Sequence, residues 1–324
     1  MVQGRERYIG TFTWAAGLVG KYDWMAEKLP KKTWIKRIHC RLAGSLTTGA
    51  TVPTRVEDSP MSLLREITIQ GGGFSFIQVT PARKYIRCAL FYGTPLERQN
   101  IGVAASTAYP FACHIIFDGA WTRYQDGVLV PPVFDDLKIG LNWGTYSDLY
   151  SAQAPSSWTT TPTLDVYVEE DDVGADPKTL PLIKEWEKEV VVSVVGAQPL
   201  DFPKGNMVLD AMLYAVDNSV RSDSLITKLG VKSRNPTEDL AEETAWAWLQ
   251  DRDKQRYMND PIFEADGTTW NLRTYKGFAM LDYLKQGGLQ MVGREQVTVN
   301  ATSIAPTGTA RFGMLVRELL PAKG

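Results

Sequence analysis

The feature of this sequence that most constrains its fold is a succession of short segments in which apolar and polar side chains alternate. In Leu137–Trp143 every odd-numbered residue is apolar, and in Leu164–Glu169 every even-numbered one is. A period of two is typical of a half-buried β-strand. Similar segments recur through both halves of the chain. The further predicted strands are 34–46, 63–70, 74–80, 110–117, 189–196, 207–216, 225–232, 270–275, 277–284, 297–304 and 309–319.

One longer helix is predicted in each half. Pro81 can open a helix over Ala82–Tyr92, which the following glycine ends. In the second half, Thr237 can serve as an N-cap, and the acidic side chains after it favour the positive end of a helix dipole. This helix is predicted to end near Met258. A parallel α/β sheet would need many more helices, so the pattern predicts an all-β fold of packed antiparallel sheets.

The length of 324 residues predicts two domains. An acidic stretch with glycine and proline, residues 169–177, is interpreted as an exposed linker between them. We predict an N-terminal arm over residues 1–30 with a short helix near Tyr22–Leu29. A first sandwich over 31–175 and a second over 176–324 are predicted to follow.

The charge pattern gives no sign of direct nucleic-acid coating. The net charge is -2, whereas proteins that neutralise phosphates carry a basic stripe or tail. The densest basic spots are Arg5, Arg7 and the run 31–37, and acidic residues lie close to them. We interpret them as a solvated face, with contact to lipid headgroups or nucleic acid as the alternative. No apolar run reaches the roughly 18 residues of a membrane span, and Met1–Arg7 is not a signal peptide. The chain is therefore expected to be soluble and made inside a cell.

The sequence lacks the motifs of common catalytic and metal sites. Cys40, Cys88 and Cys113 are widely spaced and are interpreted as buried free thiols. Two histidines, His39 and His114, are too few for an HExxH or three-histidine zinc site. No nucleophile elbow, P-loop or dinucleotide fingerprint is present. We predict no catalytic, cofactor-binding or metal-binding residue and no enzymatic activity.

Two weaker signals have ordinary interpretations. Asp135 and Asp136 are adjacent, so in a strand their carboxylates would point to opposite faces. A glycosidase pair built from residues distant in sequence stays open as an alternative. Asn300-Ala301-Thr302 matches a glycosylation sequon, which we discount because no secretory signal precedes it.

Three stretches resemble a known family. The run Trp34–Gly49 (WIKRIHCRLAGSLTTG) followed by Pro60–Gln70 (PMSLLREITIQ) resembles the opening strands of double jelly-roll major capsid proteins. Val133–Trp143 (VFDDLKIGLNW) resembles a strand in the middle of their first roll. These are the capsid proteins of tailless phages with an internal membrane, of related archaeal viruses and of the adenovirus-hexon lineage. The second half shares their layout and long helix.

The resemblance implies two tandem eight-stranded jelly rolls with a helix inserted in each. It implies a structural subunit that forms homotrimeric, pseudo-hexagonal capsomers and tiles an icosahedral shell around a membrane. The implied partners are other copies of the chain, minor capsid and vertex proteins, and the internal membrane. The membrane would be contacted through the N-terminal arm, where Arg5 and Arg7 are candidates. No cofactor and no sequence-specific nucleic acid are implied, and the protein would be made in the host cytoplasm and reside in the virion.

The loops between the predicted strands carry aromatic side chains suited to a protein interface. The candidates are Trp121, Tyr124, Tyr146, Tyr150 and Trp158. The alternative is that these rings cover the core of their own domain. Two other functions stay open. One is a carbohydrate-binding or carbohydrate-cleaving double β-sandwich, in which exposed aromatics form a sugar platform. The other is a binding module on a virion or cell surface.

Overall fold

The computed structural model groups the chain into two compact units. It describes residues 5–26, 29–30, 33–56, 58–92, 104–119, 129–130, 134, 136–171, 182–218, 220–234, 237–257, 263–265, 270–272, 276–284 and 287–320. The first unit contains the described residues up to Cys88 and residues 104–183. The second contains residues 184–320 together with residues 89–92.

Among the described residues before position 172, the structure has ten strands and two α-helices. The strands are β1 (Arg5–Thr13), β2 (Tyr22–Trp24), β3 (Trp34–Thr47), β4 (Thr54–Arg55), β5 (Leu64–Gly71), β6 (Phe74–Val79), β7 (Ala108–Asp118), β8 (Lys138–Trp143), β9 (Tyr150–Ala152) and β10 (Trp158–Asp171). The helices are α1 (Pro81–Tyr92) and α2 (Tyr146–Leu149), and single 3-10 turns occupy Ala16–Leu18 and Met61–Leu63.

The described residues of the first unit place four strands in each of two antiparallel layers. One has the order β1-β10-β3-β7, and the other contains β6-β5-β8-β2. The alternation seen in the sequence decides which side chains each sheet buries, because successive residues of a strand point to opposite faces. The fully buried residues of these strands include Ile38, Cys40, Leu42, Ile67, Ile69, Ile115, Phe117, Ile139, Leu141, Leu164 and Val166.

The described residues from 182 to 320 contain twelve strands and one helix. The strands are β11 (Leu182–Val192), β12 (Gly196–Asp201), β13 (Met207–Asp217), β14 (Val220–Arg221), β15 (Ile226–Ser233), β16 (Glu238–Ala245), β17 (Phe263–Ala265), β18 (Trp270–Leu272), β19 (Phe278–Asp282), β20 (Leu289–Gln290), β21 (Val297–Ser303) and β22 (Ala310–Leu320). The helix is α3 (Trp246–Tyr257).

The second unit is also a sandwich. Its sheets have the orders β14-β13-β22-β11 and β12-β21-β15-β16, and β19 and β20 add to β13. An apolar cluster joins them. It includes Leu213 and Phe312 from the first sheet, Leu229 and Val299 from the second, and Trp246 from α3. The prediction of two all-β sandwiches with a helix inserted in each is therefore confirmed.

The N-terminal segment differs from the predicted arm with a helix. Arg5–Thr13 is an edge strand hydrogen-bonded to β10, and Tyr22–Trp24 pairs with β8. The helix expected near Tyr22–Leu29 is therefore wrong where the structure describes that segment. Residues 169–171, which were expected in an exposed linker, belong to β10 instead, because that strand continues to Asp171. The rest of the expected linker, residues 172–177, lies outside the described part of the chain, and the units divide after Ile183.

The second long helix also begins later than predicted. Residues 238–245 form the edge strand β16, and α3 begins only at Trp246. Pairing with β15 explains the difference, because it gives β16 a ladder of backbone hydrogen bonds and nearby cations. Lys228 lies 3.7 Å from Glu243, and Lys232 lies 3.8 Å from Asp239.

Within the described residues, no helix is long and apolar enough to cross a bilayer.

The carboxylate of Asp217, at the end of β13, binds the turn that precedes β22. Its oxygens accept hydrogen bonds from the backbone N–H groups of Thr307 and Gly308 and from the Thr307 hydroxyl, at 2.8–3.1 Å. Burial raises the pKa of Asp217, but these donors outweigh it and hold the pKa below its ordinary value of 3.8. A depressed folded-state pKa adds stability above pH 3.8, which is lost as the pH falls through the folded-state value.

Asp217→Asn is therefore expected to lower the free energy of unfolding by about 1 kcal/mol at pH 7, a figure discounted for the partial exposure of the group. The difference from the wild type should shrink as the pH falls below 3.8. Urea unfolding at a series of pH values measures this difference in the free energy of unfolding. Asp239→Asn is the control, because that carboxylate is 59% exposed and its cation lies 3.8 Å away. An equal loss in both variants would contradict a stabilising role for these hydrogen bonds of Asp217.

Candidate functional site

The first unit has one sheet whose two ends differ sharply in charge. In the sheet β1-β10-β3-β7, the register places Arg5 opposite Glu170 and Arg37 opposite Asp118 at one end. Ion pairs hold this end together. Lys36 lies 2.9 Å from Asp171, and Arg37 Nη1 lies 2.9 Å from Glu169 Oε2.

The other end of the same sheet carries no charged side chain. Four segments meet there because of the register, which pairs Thr13 with Thr163, Leu46 with Trp158 and Thr47 with Ala108. These segments, residues 12–20, 42–54, 104–113 and 149–164, contain no Asp, Glu, Lys or Arg. We call this region the charge-free end. Charged residues make up 22% of this chain, so four adjoining uncharged segments set this surface apart.

An aromatic cluster lies at the charge-free end. The rings of Tyr146 and Trp158 are 4.5 Å apart between centroids, and Trp14 lies 5.7 Å and 5.5 Å from them. Phe111 completes the cluster at 6.4 Å from Trp158. Trp14 Nε1 donates a hydrogen bond of 3.0 Å to the carbonyl of Gly144, which fixes the indole in place. Trp14, Tyr146 and Trp158 are half-buried, so part of each ring faces solvent.

Local structure explains why these rings converge. Thr145 and Asp148 form a capping box at the start of α2, which places Tyr146 at the first position of that helix. Arg65 holds the Asp148 carboxylate from 3.1 Å, so this nearby charge is paired. Depletion of charge together with partly exposed Trp and Tyr is the composition of protein-interface cores.

The predicted interface residues fall into three groups. Tyr146 and Trp158 are brought together in the cluster. Tyr150 is only 1% exposed, which fits the alternative that it covers its own core. Trp121 and Tyr124 lie outside the described residues. Sequence reasoning missed Trp14, which it assigned to an arm.

The candidate arm residues lie away from this cluster. Arg5 and Arg7 are exposed on the edge strand β1, in its charged half. The Arg5 side chain is 74% exposed and lies 3.9 Å from Glu170.

Another pair of exposed aromatic rings lies on β2. The rings of Tyr22 and Trp24 stack on each other, and Lys138 Nζ lies 4.4 Å from the Trp24 ring.

The titratable groups of the described residues offer little for catalysis. His39 is half-buried with Glu169 3.9 Å away, and burial lowers its pKa more than the carboxylate raises it. All three cysteines are buried and none is in a disulfide, and burial raises the pKa of Cys40 to about 12, so its nucleophilic thiolate is scarce. In the part of the chain that the structure describes, no three His, Cys, Asp or Glu side chains gather to hold a metal ion.

Gly44 is required for the packing of the cluster. A Cβ atom at this position would lie 2.7 Å from Phe111 Cζ and 3.1 Å from the backbone of Pro162. We expect Gly44→Ala to lower the free energy of unfolding by about 1–3 kcal/mol, because neighbours in a packed core must move. Chemical denaturation measures the loss. Gly49→Ala is the matched control at the same end, since a Cβ there meets no atom within 4 Å. Equal stabilities of the two variants would show that Phe111 is not packed as described.

Comparison with solved structures gives matches over almost the full chain. The major capsid protein of STIV, the Sulfolobus turreted icosahedral virus, superposes with a TM-score of 0.76 at 16% sequence identity, covering 99% of this chain and 98% of that one. The major capsid protein of bacteriophage PM2 gives 0.61 at 10% identity, covering 98% of both chains. The capsid of PBCV-1 virus gives 0.61 at 11% identity, covering 98% and 94%.

The chain has the double jelly-roll fold of these capsid proteins. At the level of sequence, no protein-family model matches it, and no curated protein matches it significantly. The double jelly-roll assignment confirms the fold that the resemblance implied. Each sandwich of the double jelly roll is one of the two units described above, and the charge-free end belongs to the first roll.

Proposed function

We propose that this chain is the major structural subunit of a viral capsid. The observation that carries the proposal is the fold match to capsid proteins, which spans both sandwiches and leaves almost none of either chain uncovered. Folds host unrelated functions, so the surface must supply a second argument. The charge-free end supplies it, because this surface has the composition of an interface core.

The subunit is proposed to assemble as a homotrimer. A chain with two sandwiches contributes two similar lobes, so three copies in a ring give six lobes and a pseudo-hexagonal outline. Such a ring uses two unlike surfaces per copy and closes after three contacts. These capsomers would tile an icosahedral shell around a membrane. The function is structural, and no hydrolase activity is proposed.

The charge-free end is proposed to lie within a contact between copies. Trp14, Tyr146 and Trp158 each expose part of a large ring at little conformational cost, which is how interface anchors act. Burying an uncharged surface also avoids the several kcal/mol needed to desolvate each unpaired ion. The charged half of the sheet, by contrast, already pairs its ions internally and suits contact with water.

Further partners follow the same proposal. Minor capsid and vertex proteins would contact the capsomers, and Arg5 and Arg7 would face the internal membrane. Their exposure on the edge strand β1 supports such a contact. Glu6 between them and Glu170 beside Arg5 keep the local net charge low, so attraction to anionic lipid is expected to be weak. The protein would be made in the host cytoplasm and reside in the virion, a bacteriophage particle among the options.

Mass in solution tests the oligomeric part of the proposal. Light scattering during size-exclusion chromatography should give three times the 36.1 kDa of the chain at micromolar concentration. A stable monomer would argue strongly against a capsid subunit. A monomer that also binds on a glycan array would instead favour the carbohydrate-binding alternative.

A further inference from the structure

The second sandwich exposes an aliphatic surface at the connection between β11 and β12. Val194 and Val195 stand in this three-residue connection and are each 65% exposed. Val191 at the end of β11 is 66% exposed, and Ile304 just after β21 is 42% exposed. We call these four residues the valine tip.

The valine tip is held rigidly from beneath. The carbonyl oxygen of Val194 accepts hydrogen bonds from Gln198 Nε2 at 3.1 Å and from Ser303 Oγ at 3.0 Å. Gly196 pairs with Ser303 in the ladder, and the Ile304 N–H donates to Leu225. These bonds bring Ile304 beside the Val194–Val195 connection, so the exposed side chains form one surface on a fixed frame.

The composition of the valine tip departs from the usual chemistry of a turn. Connections of this kind favour Gly, Asn, Asp, Pro and Ser, whose side chains or backbone suit tight turns and water. Here two consecutive valines occupy the connection. The two segments that build the tip, residues 190–200 and 297–310, contain no Asp, Glu, Lys or Arg. Valines at turn positions that do not pack inside their own domain indicate a functional role for these side chains.

We propose that the valine tip of one copy packs against the charge-free end of the next copy. This inference rests on the proposed trimer and names its two contacting surfaces. Both surfaces lack ions, so neither would leave a buried charge unpaired on contact. One presents aliphatic side chains and the other presents half-buried aromatic rings, a combination that removes apolar area from water on both sides.

The two surfaces also suit a closed ring. They are different from each other, and each occurs once per chain, on different sandwiches. A contact between unlike surfaces is heterologous and can close into a ring of three, whereas contact of a surface with itself gives a two-fold dimer. The valine tip alone is too small for a stable interface, so it would act as one anchor within a larger contact.

Thiol cross-linking tests the proposed contact. The double variant Val194→Cys/Ser157→Cys places one reactive thiol on the tip and one on the exposed loop next to Trp158, while the native cysteines are buried. A short bis-maleimide should then convert the assembled protein into covalent trimers on a denaturing gel. Val292→Cys/Ser157→Cys is the control, because Val292 is 71% exposed but lies outside the tip. Covalent dimers from Val194→Cys alone would mean that tips meet each other, and would overturn the proposal.

A charge on the tip gives the second test. Val194→Asp should raise the trimer dissociation constant at least about 10-fold, whereas Val292→Asp should leave it within about 2-fold. Unchanged unfolding midpoints would show that both variants fold. If the wild type is a monomer, the proposed function fails. If it is a trimer that Val194→Asp does not weaken and the thiols do not link, only this contact fails. Flotation of the wild type with lipid vesicles, lost in Val194→Asp, would assign the tip to a lipid surface instead.

Discussion

Replacing Arg317 with leucine is expected to lower the free energy of unfolding of the second sandwich by about 3–5 kcal/mol. Arg317 stands on β22 and is fully buried. Its Nε atom lies 3.6 Å from Asp210 Oδ2 and 3.9 Å from Glu185 Oε1, and both carboxylate residues are fully buried as well. Removing the cation would leave two buried carboxylates with one positive partner fewer, and a buried charge without compensation is costly.

Denaturant unfolding followed by tryptophan fluorescence measures this loss. Arg311→Leu is the matched control, because Arg311 lies on the same strand and pairs with Glu189 at 2.8 Å. Its side chain is 48% exposed, so water replaces the lost partner and the expected loss stays below about 1 kcal/mol. Similar losses in the two variants would contradict the account of a buried ionic cluster in this sandwich.

Truncation of Trp158 to alanine is expected to raise the trimer dissociation constant by about 30-fold to 1,000-fold. This range corresponds to the 2–4 kcal/mol of a central interface tryptophan. Trp158 contacts both Tyr146 and Trp14, so its removal would take away one ring and release two others. Ser157→Arg should weaken the trimer in the same direction, because it places a charge beside the rings without removing a packed side chain.

Sedimentation of a dilution series measures both dissociation constants. Trp248→Ala is the control, since Trp248 on α3 is 57% exposed and belongs to neither proposed surface. We expect it to change the dissociation constant less than about 3-fold. Weakening by Trp158→Ala alone, with Ser157→Arg neutral, would indicate that the tryptophan supports its own fold and not a contact between copies.

The fold was largely predictable because period-two alternation survives wherever a strand has one buried face. This holds for β3, β8 and β10, whose buried residues follow the sequence pattern. The prediction failed at β16, because we interpreted its acidic residues as the start of a helix. Only the pairing with β15 places Lys232 opposite Asp239 and brings Lys228 within 3.7 Å of Glu243. It also failed at β1, where a register shift between Tyr8 and Gly10 disturbs the alternation.

The candidate site was predictable only in part. Tyr146 and Trp158 are recognisable in the sequence as loop aromatics, but nothing in the sequence places Trp14 beside them. That neighbourhood depends on the pairing of β1 and β3 with β10, which are far apart along the chain. The uncharged runs 42–54 and 149–164 were a usable signal, since long stretches without ions are unusual at a surface. The valine tip was not predicted, because a run of valines indicates a strand and the sequence does not show where within the run the chain turns.

The proposed function depends on this double jelly-roll subunit closing into a ring of three. Electron microscopy of the purified, unfixed protein tests it most directly through two-dimensional class averages. We expect particles with three-fold symmetry and six lobes, two from each chain. Averages showing single two-lobed particles, or pairs related by a two-fold axis, would contradict it.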